Sequence, residues 1–347
     1  MRVLVTGSAG FIGSHVVDVL TDAGHDVVGL DLLLPLAHGA GASTPDGTRR
    51  GDVRVPADVD AALDGVDVVC HQAAMVGNGV DAQDFPAYAD HNDHGTAVLL
   101  AAMTRAGVGS LVVASSMVVY GDGRYTCAVH GDVSPAVRRE DDLEAGRYDP
   151  GCAVCGGPVE WRLVDEDTPF APTSAYAASK VAQEHYVSAW CRLVGASALA
   201  LRYHNVYGPG MPADTPYAGV AAIFRSALAR GEAPRVFEDG GQMRDFVHVR
   251  DVARANLAAV ERVGSLGSGR HAYNVASGRP VSLGTMARTL AAAADGASPV
   301  VTGEYRPYDV RHVVASPAKS RDELGFTAQV APEEGLAQLA TDPLRTR

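Results

Sequence analysis

The sequence predicts an α/β fold: a Rossmann-type doubly wound parallel sheet with a smaller C-terminal domain and a cysteine-bearing insertion. Three observations predict it. The apolar run Arg2–Thr6 opens into Gly7-Ser8-Ala9-Gly10-Phe11-Ile12-Gly13 and then a helical pattern to Leu20. Apolar runs of strand length go on alternating with helical patterns, which implies a parallel sheet covered by helices on both faces. Between residues 121 and 164 the alternation stops, in a stretch rich in Gly, Asp, Arg and Pro.

At 347 residues there is room for one large domain and a smaller companion. Hydrophobic residues make up 47% and charged residues 20%, as in ordinary globular proteins. The net charge of −12 and the absence of any basic run argue against a nucleic-acid surface. An anionic ligand would then be held locally, by helix N-termini and single arginines. No apolar run is long enough to span a bilayer, and no leader precedes the first strand, so a cytoplasmic setting is expected. Five unevenly spaced cysteines do not make a disulfide scaffold at this size.

The glycine segment reads as strand, turn and helix, a place for a dinucleotide pyrophosphate. Gly7, Gly10, Phe11, Ile12 and Gly13 are its candidate contacts. The second strand, Asp26–Leu30, ends at Asp31, whose carboxylate can accept from adenosine ribose hydroxyls and would repel a 2′-phosphate. No arginine follows it closely in sequence, so NAD is expected rather than NADP. After a loop over 35–50, Asp52 and Val53 would lie near the adenine. A fourth strand, Val66–His71, opens into Gln72-Ala73-Ala74, where Ala73 and Ala74 would let backbone approach the cofactor. His71 reads as a strand-end residue. Residues 90–106, with Asn92 as a further cofactor contact, read as a helix, and Ser110–Ser116 as a buried strand ending in hydroxyls.

Tyr176-Ala177-Ala178-Ser179-Lys180 opens the next helix, and i, i+4 spacing puts Tyr176 and Lys180 on one face. An ammonium there favours the phenolate and lowers the tyrosine pKa toward neutrality, so the phenol can move a proton at an alcohol. Lysine occurs only twice in the chain, at 180 and 319, so a lysine here suggests that arginine would not serve. A chance Tyr and Lys on an amphipathic helix is the alternative. A strand over 198–202 follows, then the Asn205–Pro209 turn, then helices over 218–230, 251–263 and 282–294. These elements assign 1–120, 162–206 and 236–262 to the dinucleotide domain, 121–161 to the insertion, and 207–235 and 263–347 to the second domain.

Taken together, these motifs resemble the extended short-chain dehydrogenase/reductases, specifically the nucleotide-sugar epimerases and dehydratases. Thr6–Gly13 matches the family's T-G-x-x-G-F-I-G. Ser116, four residues before Tyr120-Gly121, fills the slot of the hydroxyl that joins the Tyr/Lys pair. Asn205, Arg244 and Arg306 match an asparagine and two arginines that hold a sugar diphosphate. The resemblance implies catalysis by Ser116, Tyr176 and Lys180 on a nucleotide-diphosphate sugar. Tyr176 would take a hydroxyl proton while hydride passes to the nicotinamide, and Lys180 would hold the nicotinamide ribose.

Family members that eliminate water follow the catalytic hydroxyl with Asp-Glu. Here Met117-Val118 follow, which cannot transfer protons. A 4-epimerase acting through a transient 4-keto sugar is therefore expected. A nucleotide-sugar reductase or dehydrogenase, and a non-catalytic NAD-binding scaffold, are the alternatives. The resemblance also implies a homodimer built on the helices at 90–106 and 176–193, with Val98, Leu99, Val181 and Val187 at or near the shared face.

The insertion departs from the family pattern. Cys127-x-x-His130 and Cys152-x-x-Cys155 supply three thiolates and an imidazole, with 21 residues between the pairs. Paired knuckles of this kind fit a tetrahedral structural Zn²⁺ with no open position. A disulfide, or coincidental cysteines in a disordered loop, are the alternatives. Cys70 and Cys191 read as core.

Overall fold

The computed structural model describes residues 1–39, 41–77, 82–213 and 219–345. Strand Arg2–Thr6 lies in the interior of a seven-stranded sheet whose pairings are all parallel. Asp26–Asp31 and then Thr48–Arg50 lie on one side of it. On the other come Val68–His71, Ser110–Ser116, Ser197–Tyr203 and, at the edge, Gly269–Val275. The expected loop over 35–50 thus ends in a short edge strand.

Side chains alternate across a strand. Val3 and Val5 accordingly join one buried cluster with Val16, Leu20 and Val252, while Leu4 joins the opposite one with Leu99, Met103 and Trp190. Helices Phe11–Asp22 and Val249–Val263 cover the first face, and Gly95–Ala106 and Ala175–Val194 the second. A strand buried on both faces needs an unbroken apolar run, which is why Val3–Val5 and Leu111–Val113 are legible without alternation. The chain winds outward from Arg2–Thr6 in one direction and then returns through Val68–His71. The crevice beyond the ends of those two strands is therefore the topological switch point, where ligands bind in this architecture.

Two domain boundaries differ from expectation. Gly269–Val275, expected in the second domain, completes the large sheet. Its sequence mixes Gly, Arg and His with apolar residues because an edge strand is held mainly by backbone pairing to Ser197–Tyr203. Met243–His248, expected in the dinucleotide domain, instead pairs with Asn205–Tyr207, Pro280–Ser282 and His312–Val313 in a separate sheet. Helices Val220–Ala229 and Leu283–Ala293 pack there around Phe224, Phe246, Met286 and Leu290. Residue 218, the expected start of the first of these helices, lies outside the described residues.

The insertion is more ordered than its composition suggests. Arg124–Cys127 pairs antiparallel with both Gly131–Val133 and Val159–Arg162, and a short helix spans Glu140–Glu144. The chain leaving it is stitched to the second domain by Val164 N to Val314 O and Ser316 N to Val164 O, both at 2.8 Å. Among the described residues no helix is long and apolar enough to cross a membrane.

Candidate active site

Helix Phe11–Asp22 starts with no side-chain cap at Gly10 and no acidic residue in its first turn. Its first backbone bond within the helix comes from Ser14 N to Gly10 O, so the N–H groups of Phe11, Ile12 and Gly13 are left for an anion. The glycines are sterically required. Gly7 has φ +69°, and a Cβ there would meet Ala73 N at 2.7 Å; a Cβ on Gly13 would meet Gly7 O at 1.9 Å. Ala73 donates to Thr6 Oγ1 at 3.2 Å, and Ala73 and Ala74 stay partly exposed beside this cradle. A dinucleotide pyrophosphate fits it.

Asp31 closes the second strand and takes Ala9 N at 3.0 Å and Leu33 N at 2.8 Å. Two other expected cofactor contacts are committed elsewhere. The Asp52 carboxylate is gripped by Arg54 at 2.6–3.0 Å. Burial opposes its ionisation, but the Arg54 hydrogen bonds win and hold the carboxyl below its usual range. Asp52 therefore offers little to an adenine beyond backbone, and neighbouring Val53 is buried. Asn92 is fully buried: it donates to Met75 O and Ser179 Oγ and accepts from Met75 N, all within 2.9 Å. It fastens the loop after the fourth strand to the helix carrying Tyr176, rather than facing a ligand.

Ser174 caps that helix, accepting from Ala177 N at 3.1 Å, and so fixes where Tyr176 and Lys180 point. Burial pushes the Tyr176 phenol up to about 12, opposed by a hydrogen bond with Ser116, which ends its strand at the same place. Lys180 Nζ sits 5.8 Å from the Tyr176 ring centroid and donates to Ala114 O at 2.8 Å. Burial lowers the amine to about 7, with Glu184 and Asp93 pulling the other way. The expected depression of the tyrosine pKa by Lys180 is thus not present. At the phenol Ser116 alone opposes burial. The three catalytic candidates nonetheless converge at the end of strand Ser110–Ser116, beside the switch point.

Asn205 and Arg244 share the small sheet, and the Asn205 Oδ1 is enclosed without a partner among the described residues. Arg244 donates to three backbone carbonyls, of Met243, Val310 and Arg311. Among the described residues no carboxylate lies within ion-pair distance of it, and burial lowers its pKa to about 10. A guanidinium so placed suits an anionic ligand. Arg306 is exposed and stacks on Phe237 with 5.3 Å to the ring centroid.

Cys127, His130, Cys152 and Cys155 come together with all ligand atoms within 4.8 Å of one another. The Cys127 sulfur lies 3.6 Å from His130 Nδ1 and 3.9 Å from the Cys155 sulfur, and Cys152 lies 3.7 Å from His130. These are edge lengths of a small tetrahedron. Each pair forms a knuckle whose backbone bonds the thiol: Val129 N to Cys127 and Val154 N to Cys152, both at 3.4 Å. All four residues stand where one metal could hold them, and the cysteines are unpaired. Cys70 and Cys191 are core, as expected. His71 is buried between Thr6 and Thr96, and burial lowers it to about 3, so it is a neutral strap.

Sequence reading missed several residues. Glu184, one turn beyond Lys180, is fully buried and pairs with Arg202 at 2.9 Å and with Arg270 at 2.5 Å. Arg202, closing an otherwise apolar strand, was the available signal. Asp93, from a π-helical turn at Ala89–His94, has an enclosed unpartnered Oδ1 and acts electrostatically on Lys180. Leu99 and Val187, expected near a dimer face, are fully buried within the chain; Val98 and Val181 are partly exposed, and Tyr186, Leu193 and Val194 are the exposed large apolar residues of the second helix.

Comparison with known proteins fits this geometry. Residues 3–150 and 152–276 match the NAD dependent epimerase/dehydratase family. A dTDP-L-rhamnose 4-epimerase of Burkholderia thailandensis is 33% identical over 98% of this chain and 94% of its own. A UDP-glucose 4-epimerase of Mycolicibacterium smegmatis is 33% identical, covering 97% of each chain. Among solved structures, Thermus thermophilus UDP-glucose 4-epimerase in complex with NAD superposes with a TM-score of 0.75 at 31% identity, covering 98% of both chains. The chain belongs to the NAD-dependent epimerase/dehydratase family, within the extended short-chain dehydrogenase/reductases.

Proposed function

We propose that this protein is an NAD-dependent nucleotide-sugar 4-epimerase working through a transient 4-keto sugar. The observation that carries the reading is the convergence of Ser116, Tyr176 and Lys180 beside the glycine cradle, with apolar Met117 and Val118 next to Ser116. Its similarity to dTDP-rhamnose and UDP-glucose 4-epimerases supports it.

NAD, held by Gly7–Gly13 and Asp31, would supply the hydride acceptor and later the donor. Tyr176 takes the proton of the sugar C4 hydroxyl, and Ser116 hydrogen-bonds the same oxygen. Lys180 holds the nicotinamide ribose. A Lys180 kept protonated by Glu184 and Asp93 would favour the phenolate and bring Tyr176 down from about 12. Asn205, Arg244 and Arg306 hold the diphosphate while the keto sugar turns its other face. Tyr176 then returns the proton. Met117 and Val118 offer no acid or base at the neighbouring carbons, which confines the chemistry to C4.

The insertion holds one structural Zn²⁺ through Cys127, His130, Cys152 and Cys155. A reducing, cytoplasmic setting suits those thiols. The protein works as a homodimer, with the exposed Tyr186 and Leu193 of helix Ala175–Val194 at the shared face. The test is a panel of UDP-, dTDP- and GDP-sugars followed by proton NMR. A C4-epimeric mixture without net NADH supports the reading; no conversion, or stoichiometric NADH, counts against it.

A further inference from the structure

Residues 343–345 lie alongside 210–213, through Gly210 N to Pro343 O at 2.8 Å, Arg345 N to Met211 O at 2.9 Å and Ala213 N to Arg345 O at 3.0 Å. From that anchorage the Arg345 side chain crosses to the glycine loop and donates to Ala9 O at 2.7 Å, across 336 positions of sequence. The N–H of the same residue donates to Asp31. A second crossing runs in parallel, His15 to Pro209 O at 3.0 Å. The absence of an arginine near Asp31, expected from sequence, is therefore corrected in space: Arg345 acts electrostatically on Asp31, and His38 Nε2 stands 3.6 Å from its Oδ1.

Plain stitching of the two domains would need only a neutral hydrogen bond. A guanidinium offers five N–H donors, and among the described residues only one of them meets a protein acceptor. No carboxylate among the described residues lies within ion-pair distance of Arg345. That charge, met only at a distance by Asp31, stands beside a helix N-terminus whose own first N–H groups are open. Both features draw the same ligand class, a dinucleotide pyrophosphate.

We propose that Arg345 is a cofactor-binding clasp, fastening the substrate-domain segment over the glycine loop so that NAD stays bound from one turnover to the next. The clasp rests on the NAD-dependent reading above. It would hold Ala9 closed and present its remaining donors to the pyrophosphate or adenosine ribose.

The test compares wild type with Arg345→Ala and Arg345→Lys. Each is gel-filtered without added cofactor and then denatured to release and count its nicotinamide; exchange with radiolabelled NAD is timed in parallel. Wild type should carry bound cofactor. Arg345→Ala should exchange it about tenfold faster or more and should depend on added NAD for activity, with Arg345→Lys between the two. Equal retention and exchange in wild type and Arg345→Ala overturn the clasp alone. A wild type that carries and binds no NAD overturns the cofactor reading with it. Loss of cofactor matched by an equal fall in melting temperature of the stripped proteins makes Arg345 a domain stitch and also overturns the clasp.

Discussion

Arg138 of the insertion donates to Glu238 of the second domain at 2.6 Å, and the two side chains are 8% and 2% exposed. Arg311 reaches the other oxygen of Glu238 at 2.8 Å and ties Asp149 of the insertion at 2.7 Å. Arg311 O in turn accepts from Arg244. The knuckle module is thus fastened by buried charge to the strand that carries a diphosphate-binding candidate, rather than hanging from the surface.

Glu238→Gln leaves the buried Arg138 guanidinium without a carboxylate, while Arg311 keeps Asp149 and Asp239; breaking a buried pair this way costs about 3–5 kcal/mol. We expect a lower melting temperature and a KM for nucleotide sugar that rises while the nicotinamide retained per chain is unchanged. An unchanged KM, or an equal loss of retained nicotinamide, would separate the insertion from the sugar site.

Purified protein should contain one zinc per chain by elemental analysis. Chelation or Cys152→Ser should loosen residues 121–164, read by hydrogen exchange, while strand Arg2–Thr6 and its neighbours stay protected by their own core. Cys152→Ser should also weaken sugar binding more than NAD binding. Absence of metal, or an unchanged kcat/KM in the variant, goes against this.

Lys180 titrates at about 7 in the fold against 10.5 ordinarily, because burial penalises its charge. Between those values the unfolded chain holds a proton that the folded one lacks, so this group makes stability rise with pH across that window; below it the full penalty is present. Lys180→Met should therefore melt higher at pH 7, by roughly 2 °C or more, with the gain fading toward pH 10, while turnover collapses. A melting temperature lowered at pH 7 would contradict the burial account.

Much of the site was legible because the chemistry demands particular residues. Gly7 and Gly13 leave no room for a Cβ, and Tyr176 and Lys180 must share a helix face. The large sheet was legible where strands are buried on both faces. Gly269–Val275 was not, since an edge strand carries a mixed pattern. Asn92 looked free in sequence because nothing local shows that Ser179, 87 positions away, consumes it; Asp52 is taken by Arg54 only two residues on, an adjacency that does not by itself say which way the two side chains turn. Arg345 and Glu238 belong to the same class: their partners lie 336 and 100 positions off.

Tyr176→Phe removes only the ionisable oxygen. Turnover should fall about 10²–10⁴-fold while NAD stays bound, measured as kcat beside released nicotinamide. A variant keeping more than about a tenth of wild-type kcat would remove Tyr176 from the chemistry.

The most direct test uses a nucleotide sugar deuterated at C4, drawn from whichever member of the panel is converted. A 4-epimerase that holds its cofactor lifts that deuterium and returns it to the same carbon from the other side. The account predicts a C4-inverted product retaining the full label, with no deuterium passing to free NAD in the medium. Label lost to solvent or to the free NAD pool, or product inverted at another carbon, would contradict it.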